Sequence, residues 1–208
     1  MRMKTVAAVL VVLVIVGGLA AAVVVIRRGF SARDEPSLAE AFIARRLRSL
    51  AVPSRARRFP NPVALTPEVL AEARAHFADH CALCHANDGS GKTEIGQNLY
   101  PKAPDMRLPA TQSLTDGELY YIIQNGIRLT GMPAWGLKDD DLDEDTWTLV
   151  HLIRHLGELT PEQLKEMEQL NPKSPAELEE ERQEQEFLRG GAEPPEDPNK
   201  PHAPHHKR

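Results

Sequence analysis

The feature that most constrains this chain is the stretch CALCH at residues 81–85. Cys81 and Cys84 are the only cysteines in the chain, and His85 follows them directly. Few kinds of site use two cysteines and a histidine within five residues, so this stretch limits both the chemistry and the fold.

Three kinds of site compete for this spacing. A structural zinc site needs further ligands, and neither another cysteine nor a histidine pair at the usual spacing supplies them. A thioredoxin-like redox pair needs a βαβ context, whereas the flanking segments have helical patterns. Covalent attachment of a c-type haem uses the two sulfurs for the two vinyl groups of one porphyrin and the histidine as an iron ligand. The flanks favour this third site, although so short a motif also arises by chance.

An apolar segment near the N-terminus predicts a membrane anchor within residues 1–30. Residues 5–26 form a run of 22 residues without a charge. A transmembrane helix needs about 20 apolar residues, whereas the apolar region of a signal peptide has about 7–15. We therefore predict an uncleaved, single-pass helix. Cleavage of a signal peptide at Ala20–Ala22 stays open as the alternative.

The orientation of this anchor follows from two arguments that disagree. The flanking charges are Arg2 and Lys4 before the run and Arg27, Arg28 and Arg33 after it. The positive-inside rule would place the C-terminal side in the cytoplasm. Haem attachment, in contrast, takes place outside the cytoplasmic membrane. The charge difference is small, so we predict the haem domain in the periplasm of a bacterial cell.

Charge divides the remaining chain into three parts. Residues 27–60 carry nine Lys and Arg against three Asp and Glu, residues 61–157 carry seven against fourteen, and residues 158–208 carry seven against thirteen. This distribution does not suggest nucleic-acid binding. Aromatic residues make up only 5% of the chain, which is little for a self-sufficient core and leaves apolar volume for a buried haem to fill.

A basic neck and linker occupies residues 31–65. Apolar residues at near-helical spacing predict a helix, which packs either on the globular domain or on the membrane surface; they are Leu38, Phe42, Leu47 and Leu50. The Pro- and Arg-rich residues 52–65 predict an extended linker.

Residues 66–157 form the predicted globular domain, which is all-α because no alternating strand pattern occurs. Thr66 and Pro67 predict the start of a helix that runs into Cys81. A Gly- and Pro-rich loop follows CALCH, and a capping box of Thr115 and Glu118 begins the next helix. A last helix, capped by Asp141 or Asp143, ends before residue 157.

The tail, residues 158–208, is acidic and is predicted to be largely disordered. A short helix begins at Thr160, and a highly charged segment after it is marginal as an isolated helix. The end of the chain is rich in Gly and Pro and contains His202, His205 and His206. These histidines are candidates for transition-metal binding, but a solvated tail is the favoured interpretation.

A haem iron with one histidine ligand has a sixth position that a second side chain can fill. Met132 is the strongest candidate, because Gly131 and Pro133 on either side favour a defined loop. Methionine is more often a core residue than a ligand, so alternatives stay open; they are Met106, His76, His80, His151 and His155.

Several segments in order resemble a class I monohaem cytochrome c. They are AEARAHF, CALCH, GSGKTEIGQNLYPKAPDM, LTDGELYYIIQNGIRLTGMPAW and DTWTLVHLIRHL. The resemblance covers about residues 66–157 and is closest to the small domains of bacterial membrane-bound cytochromes and oxidase subunits.

The resemblance implies a small helical domain around one covalent haem c. Cys81 and Cys84 would form the thioether bonds, His85 would be the proximal iron ligand and Met132 the distal one. Ala73 and Phe77 would pack against the last helix near Trp147. Ala86 departs from the pattern, because a glycine is common at this position.

The expected function is single-electron transfer by a membrane-anchored cytochrome of a respiratory chain, without catalysis of its own unless it is a subunit of an oxidoreductase complex. Six acidic residues within 139–145 predict a redox partner with a basic docking surface. Two other functions stay open: a five-coordinate haem that binds gas or peroxide, and a subunit that serves mainly in docking.

Overall fold

The computed structural model describes residues 2–29, 31–136 and 143–190. In these three ranges the regular elements are α-helices and one 3₁₀ turn, so the all-α prediction is confirmed. The helices are α1 (Arg2–Arg28), α2 (Leu38–Ala51), α3 (Ser54–Arg57), α4 (Pro67–His80), α5 (Ala82–His85), α6 (Glu94–Gln97), α7 (Pro109–Gln112), α8 (Asp116–Asn125), α9 (Glu144–His155), α10 (Pro161–Leu170) and α11 (Pro175–Leu188), with the 3₁₀ turn at Leu156–Glu158.

Helix α1 contains the apolar run. Its residues Met3–Arg27 are long and apolar enough to cross a membrane, and none of the side chains in this stretch is buried against the rest of the chain. This is compatible with a single-pass anchor.

The helices of the globular part begin where the capping signals predict. Thr66 accepts a hydrogen bond from the Val69 backbone N–H at 3.2 Å and so caps α4. Thr115 and Glu118 form the predicted capping box of α8. The cap of α9 is Asp143, one of the two candidates, and the other, Asp141, lies outside the described residues.

The core lies where α4 crosses α9. Phe77 and Trp147 are each 1% exposed, and Ala73 and Leu152 are fully buried in the same cluster. Small alanines allow the two helix backbones to approach each other closely. The predicted packing of α4 near Trp147 is therefore confirmed.

The segment predicted to be an extended linker is folded onto this core instead. It contains α3, which packs on α8, while Phe59 stacks on Trp147 with ring centroids 5.9 Å apart. The Asn61 side-chain amide donates to the Trp147 carbonyl at 2.9 Å. Gly117 of α8 lies against the Ala56 carbonyl, and a Cβ there would overlap it. Proline thus restricts the local backbone without preventing tertiary packing.

Part of the tail also joins the core. Met167 of α10 is fully buried in the same cluster as Phe77, and α10 packs along α4. Helix α11, in contrast, has no buried residue. The tail histidines lie outside the described residues.

Candidate cofactor site

The CALCH stretch forms one tight helical turn at the end of α4. Cys81 is the C-cap of that helix, directly after its last residue, His80, and its carbonyl accepts hydrogen bonds from the Cys84 N–H at 3.2 Å and the His85 N–H at 2.9 Å. Side chains three and four positions apart on such a turn lie on one side of it. The turn therefore presents both thiols and the imidazole in the same direction, and the thiols are free and half-buried.

Hydrogen bonds hold the loop that follows this turn against the turn itself. The Gly91 N–H donates to the His85 carbonyl at 2.8 Å, and the Thr93 hydroxyl donates to the Cys84 carbonyl at 3.2 Å. Gly96 lies so close to the Cys84 carbonyl that a Cβ would overlap it. These contacts fix the carbonyl side of the turn.

Ala86 leaves the turn with an unusual backbone conformation. Its φ of 58° and ψ of 156° lie in a region that glycine populates far more readily than other residues. The conformation lets the chain reverse direction immediately after His85, and the Gly89 N–H then donates to the Ala86 carbonyl at 3.0 Å. This reversal gives a physical reason why a glycine is common at this position of the pattern.

His85 is mostly buried. Burial lowers the pKa of its imidazole, and the Pro104 carbonyl, which favours the protonated ring, opposes this only in part. Its Nδ1 is buried and makes no hydrogen bond of ordinary geometry with the described residues, so Pro104 is close without forming a well-aligned bond. A neutral imidazole is the form that binds a metal, and a carbonyl near Nδ1 favours the tautomer that leaves Nε2 free.

Burial shifts the pKa of the Cys81 thiol in the direction opposite to the one that a redox-active dithiol requires. It raises the pKa of the Cys81 thiol to about 12, with a further contribution from Cys84. Reactive cysteines of thioredoxin-like pairs have lowered pKa values because a thiolate is the nucleophile. The surroundings of Cys81 thus disfavour the redox-pair interpretation.

Met132 lies in a loop that is closed onto the end of α8. The Ile127 N–H donates to the Met132 carbonyl at 3.1 Å, and the Met132 N–H donates to the Thr130 hydroxyl at 3.1 Å. Gly126, with a φ of 63°, packs against the backbone of this loop. The Met132 side chain is half-buried, which leaves it accessible to a group that enters the site.

Two contacts place this loop beside the CALCH turn. The Trp135 ring stands edge-on to the ring of His80, with centroids 5.5 Å apart, and His80 directly precedes Cys81. Gly131 packs against the side chain of Leu99, which belongs to the loop after His85. The loop of Met132 therefore touches the chain on both sides of the turn.

Three of the other candidates for a sixth ligand, Met106, His151 and His155, are engaged elsewhere. Met106 is 7% exposed and belongs to the core cluster. His151 Nε2 is 2.8 Å from the Val63 carbonyl, and His155 Nδ1 is 2.7 Å from the His151 carbonyl. The rings of His76 and His80 contact each other with centroids 4.9 Å apart.

A family model described as cytochrome C oxidase, cbb3-type, subunit III matches residues 68–153. The chain contains a c-type cytochrome domain. The match begins in α4 and ends in α9, and so includes both the CALCH turn and the loop of Met132. A comparison with curated proteins gives no match.

A c-type cytochrome domain transfers electrons through a covalently bound haem c, and the one CxxCH of this chain accords with a single haem. The turn at residues 81–85 fits this cofactor: it offers two free thiols at the attachment spacing and a buried imidazole whose Nδ1 lacks a well-aligned partner. Haem supplies one-electron iron chemistry, while the protein supplies ligands, burial and orientation.

Sequence analysis missed three contributors to this site: Thr93, Gly96 and the carbonyl of Pro104. Each acts through backbone or through a contact between segments that are distant in sequence. The glycines of GSGKTEIG were the available signal, because a loop rich in glycine after a metal-binding motif indicates close backbone approach.

Proposed function

We propose that this protein is a membrane-anchored c-type cytochrome that carries single electrons through a haem with histidine and methionine ligands. The observation that carries the proposal is the position of the Met132 loop, which contacts His80 before the CALCH turn and Leu99 after it. The proposal takes the Met132 thioether of this loop to reach the side of the domain on which the two thiols and the imidazole stand.

Each residue has a defined role in this proposal. Cys81 and Cys84 form thioether bonds and hold the cofactor; His85 binds the iron, and the Pro104 carbonyl orients its ring. Met132 fills the sixth position, so that no open site remains for a small ligand. Methionine as a second ligand raises the reduction potential, which suits a carrier in an oxidative chain.

Helix α1 serves as an uncleaved single-pass anchor in a bacterial cytoplasmic membrane, with the haem domain on the periplasmic side. Support comes from its length and its uninterrupted apolar surface. The matching family is described by an oxidase subunit, and we therefore propose that the electron partners belong to a respiratory oxidoreductase complex.

The ligand assignment is tested by comparing Met132→Ala with Met106→Ala in the purified holoprotein. Loss of a thioether ligand from iron lowers the reduction potential or lets carbon monoxide bind the reduced haem. We expect both changes in Met132→Ala, whereas Met106→Ala lowers stability and leaves the spectrum and potential unchanged.

The opposite result, a new carbon monoxide complex in Met106→Ala and none in Met132→Ala, would assign the ligand to Met106. Attachment is tested on the parent protein by extraction with acidified acetone. Covalent haem stays with the polypeptide and gives the pyridine haemochrome spectrum of two thioether bonds, whereas haem that washes out contradicts the role of both cysteines.

A further inference from the structure

Helix α2 has an apolar face that nothing in the described chain covers. None of its residues is buried, although an amphipathic helix of a globular domain normally buries its apolar stripe. Five large apolar side chains on it are exposed: Leu38 89%, Phe42 56%, Ile43 55%, Leu47 61% and Leu50 79%.

This apolar face points away from the cytochrome domain. At 100° per residue, the five apolar side chains fall within one half of the helix circumference, and Glu40, Ala41 and Arg48 fall in the other half. Those three residues face the domain: the Tyr100 hydroxyl donates to a Glu40 carboxylate oxygen at 2.5 Å, and Ala41 and Arg48 are half-buried. Burial lowers the pKa of the Arg48 guanidinium, and the Glu118 carboxylate of α8 opposes this shift in part.

The attachment of α2 to the domain is defined at both ends. Before the helix, Glu35 forms an ion pair with Lys102. After it, Val52 is 5% exposed and leads into α3, which packs on α8. The helix is therefore held on the domain by one face and presents the other outward.

The position of α2 in the chain keeps it near the membrane if α1 is the anchor. Only residues 29–37 separate the two helices. Nine residues span at most about 30 Å even when fully extended, so α2 begins within that distance of the point where α1 leaves the lipid. The surface nearest to the exposed apolar face is then the bilayer itself.

The charges of α2 select the kind of lipid. Arg46 lies on the outward side of α2, and Arg45 lies at the edge of that side. The Arg46 guanidinium lies over the Phe42 ring, 5.4 Å from its centroid. Residues 27–60 carry nine Lys and Arg against three acids. Long arginine side chains beside an apolar stripe reach lipid phosphates while the stripe enters the acyl boundary. Basic clusters of this kind bind anionic headgroups.

We propose that α2 lies in the headgroup region of an anionic bilayer, with Leu38, Phe42, Ile43, Leu47 and Leu50 inserted. This rests on the proposed anchoring by α1 and extends it. Because α2 is joined to Tyr100, and the segment just before it to Lys102, the helix holds that side of the domain toward the membrane. The cytochrome domain is thereby kept in one orientation at the lipid surface, instead of moving freely on a flexible neck.

The test uses the full-length holoprotein in phosphatidylglycerol-containing vesicles, with a single cysteine introduced and spin-labelled at one of three exposed positions. Leu47→Cys reports on the apolar face of α2, Val14→Cys reports on α1, and Leu178→Cys on α11 is a matched control with a similarly exposed leucine. The parent holoprotein, whose two cysteines are in thioether bonds, is the labelling blank. The accessibility of each label to oxygen and to a water-soluble nickel chelate is compared.

We expect the ratio of oxygen to nickel accessibility at position 47 to be several-fold above that at position 178, and the ratio at position 14 to be higher still. If position 47 behaves like position 178 while position 14 remains in lipid, the inference about α2 is overturned and the anchor stands. If position 14 is also open to the nickel chelate, the anchor itself fails. Low accessibility to both reagents at position 47 indicates a protein partner and overturns the inference.

In vesicles of phosphatidylcholine alone the ratio at position 47 should fall, and an unchanged ratio overturns the assignment to anionic lipid.

Discussion

At the scale of single residues, Ala86 illustrates how the site constrains the backbone. The reversal after His85 needs a conformation that costs a residue with a Cβ about 1–3 kcal/mol. Ala86 adopts it, with a φ of 58°, because the hydrogen bonds from the Gly89 N–H to the Ala86 carbonyl and from the Gly91 N–H to the His85 carbonyl hold the chain in place. Local strain at the site is offset by contacts around it.

Ala86→Gly should therefore stabilise the holoprotein by about 1 kcal/mol, since glycine relieves the strain but loses more backbone entropy on folding. The free energy of unfolding is measured by guanidinium titration in detergent solution. Ala71→Gly is the control: this exposed residue lies within α4, where glycine costs about 1 kcal/mol. Equal destabilisation by both substitutions would show that residue 86 is not strained when haem is bound.

At the scale of elements, α10 behaves as part of the cytochrome domain. It follows the last helix of the family match, yet its Met167 is fully buried and its Glu166 lies 3.7 Å from Arg74 of α4. The ion pair is partly exposed and contributes little, so the methionine supplies most of the attachment. We propose that the folded unit extends at least to residue 170.

Met167→Ala should lower the free energy of unfolding by about 3 kcal/mol, because it removes a buried side chain and leaves a cavity. Leu170→Ala on the same helix is the control; Leu170 is 43% exposed, and its loss should change stability by no more than about 0.5 kcal/mol. Thermal unfolding followed by the haem absorption measures both. If Met167→Ala has as little effect as Leu170→Ala, α10 is not docked in solution.

At the scale of the whole molecule, charge is segregated along the chain from a basic neck to an acidic domain. Part of the acidic run before α9 has a structural role: Asp143 caps the helix and accepts hydrogen bonds from Gln124 at 2.5 Å and the Thr146 hydroxyl at 2.8 Å. Asp139, Asp140 and Asp141 lie outside the described residues and are not needed for that cap. We propose that they steer a partner with a basic surface.

Changing Asp139, Asp140 and Asp141 to Asn should slow oxidation of the haem by the cation tris(phenanthroline)cobalt(III) at low ionic strength and flatten its salt dependence. Salt screens such steering over about 10 Å at 0.1 M. Stopped-flow traces across ionic strengths give the rates, and the anion ferricyanide should respond in the opposite direction. The control changes Glu179, Glu180 and Glu181 of α11 to Gln, which removes the same number of negative charges. Equal responses of the two variants would show that net charge alone acts.

The features that depend on a few neighbouring residues could be predicted before the fold was known. The spacing of Cys81, Cys84 and His85 is set by the porphyrin to which such a motif binds, so the motif can be identified without knowledge of the fold. Thr66, Thr115 and Thr160 predicted three helix starts because a capping side chain bonds a backbone N–H only two or three residues away. The unbroken apolar run of α1 is equally local.

The contacts between segments, in contrast, could be read only from the folded chain. The Pro- and Arg-rich neck was predicted to be an extended linker, yet Phe59 and Asn61 pack on Trp147. Met167 lies in the same core cluster as Phe77, 90 residues earlier in the chain, and Pro104 reaches His85 across the loop. These contacts depend on the three-dimensional arrangement of surfaces that are far apart in sequence, and local periodicity carries no information about which of them meet.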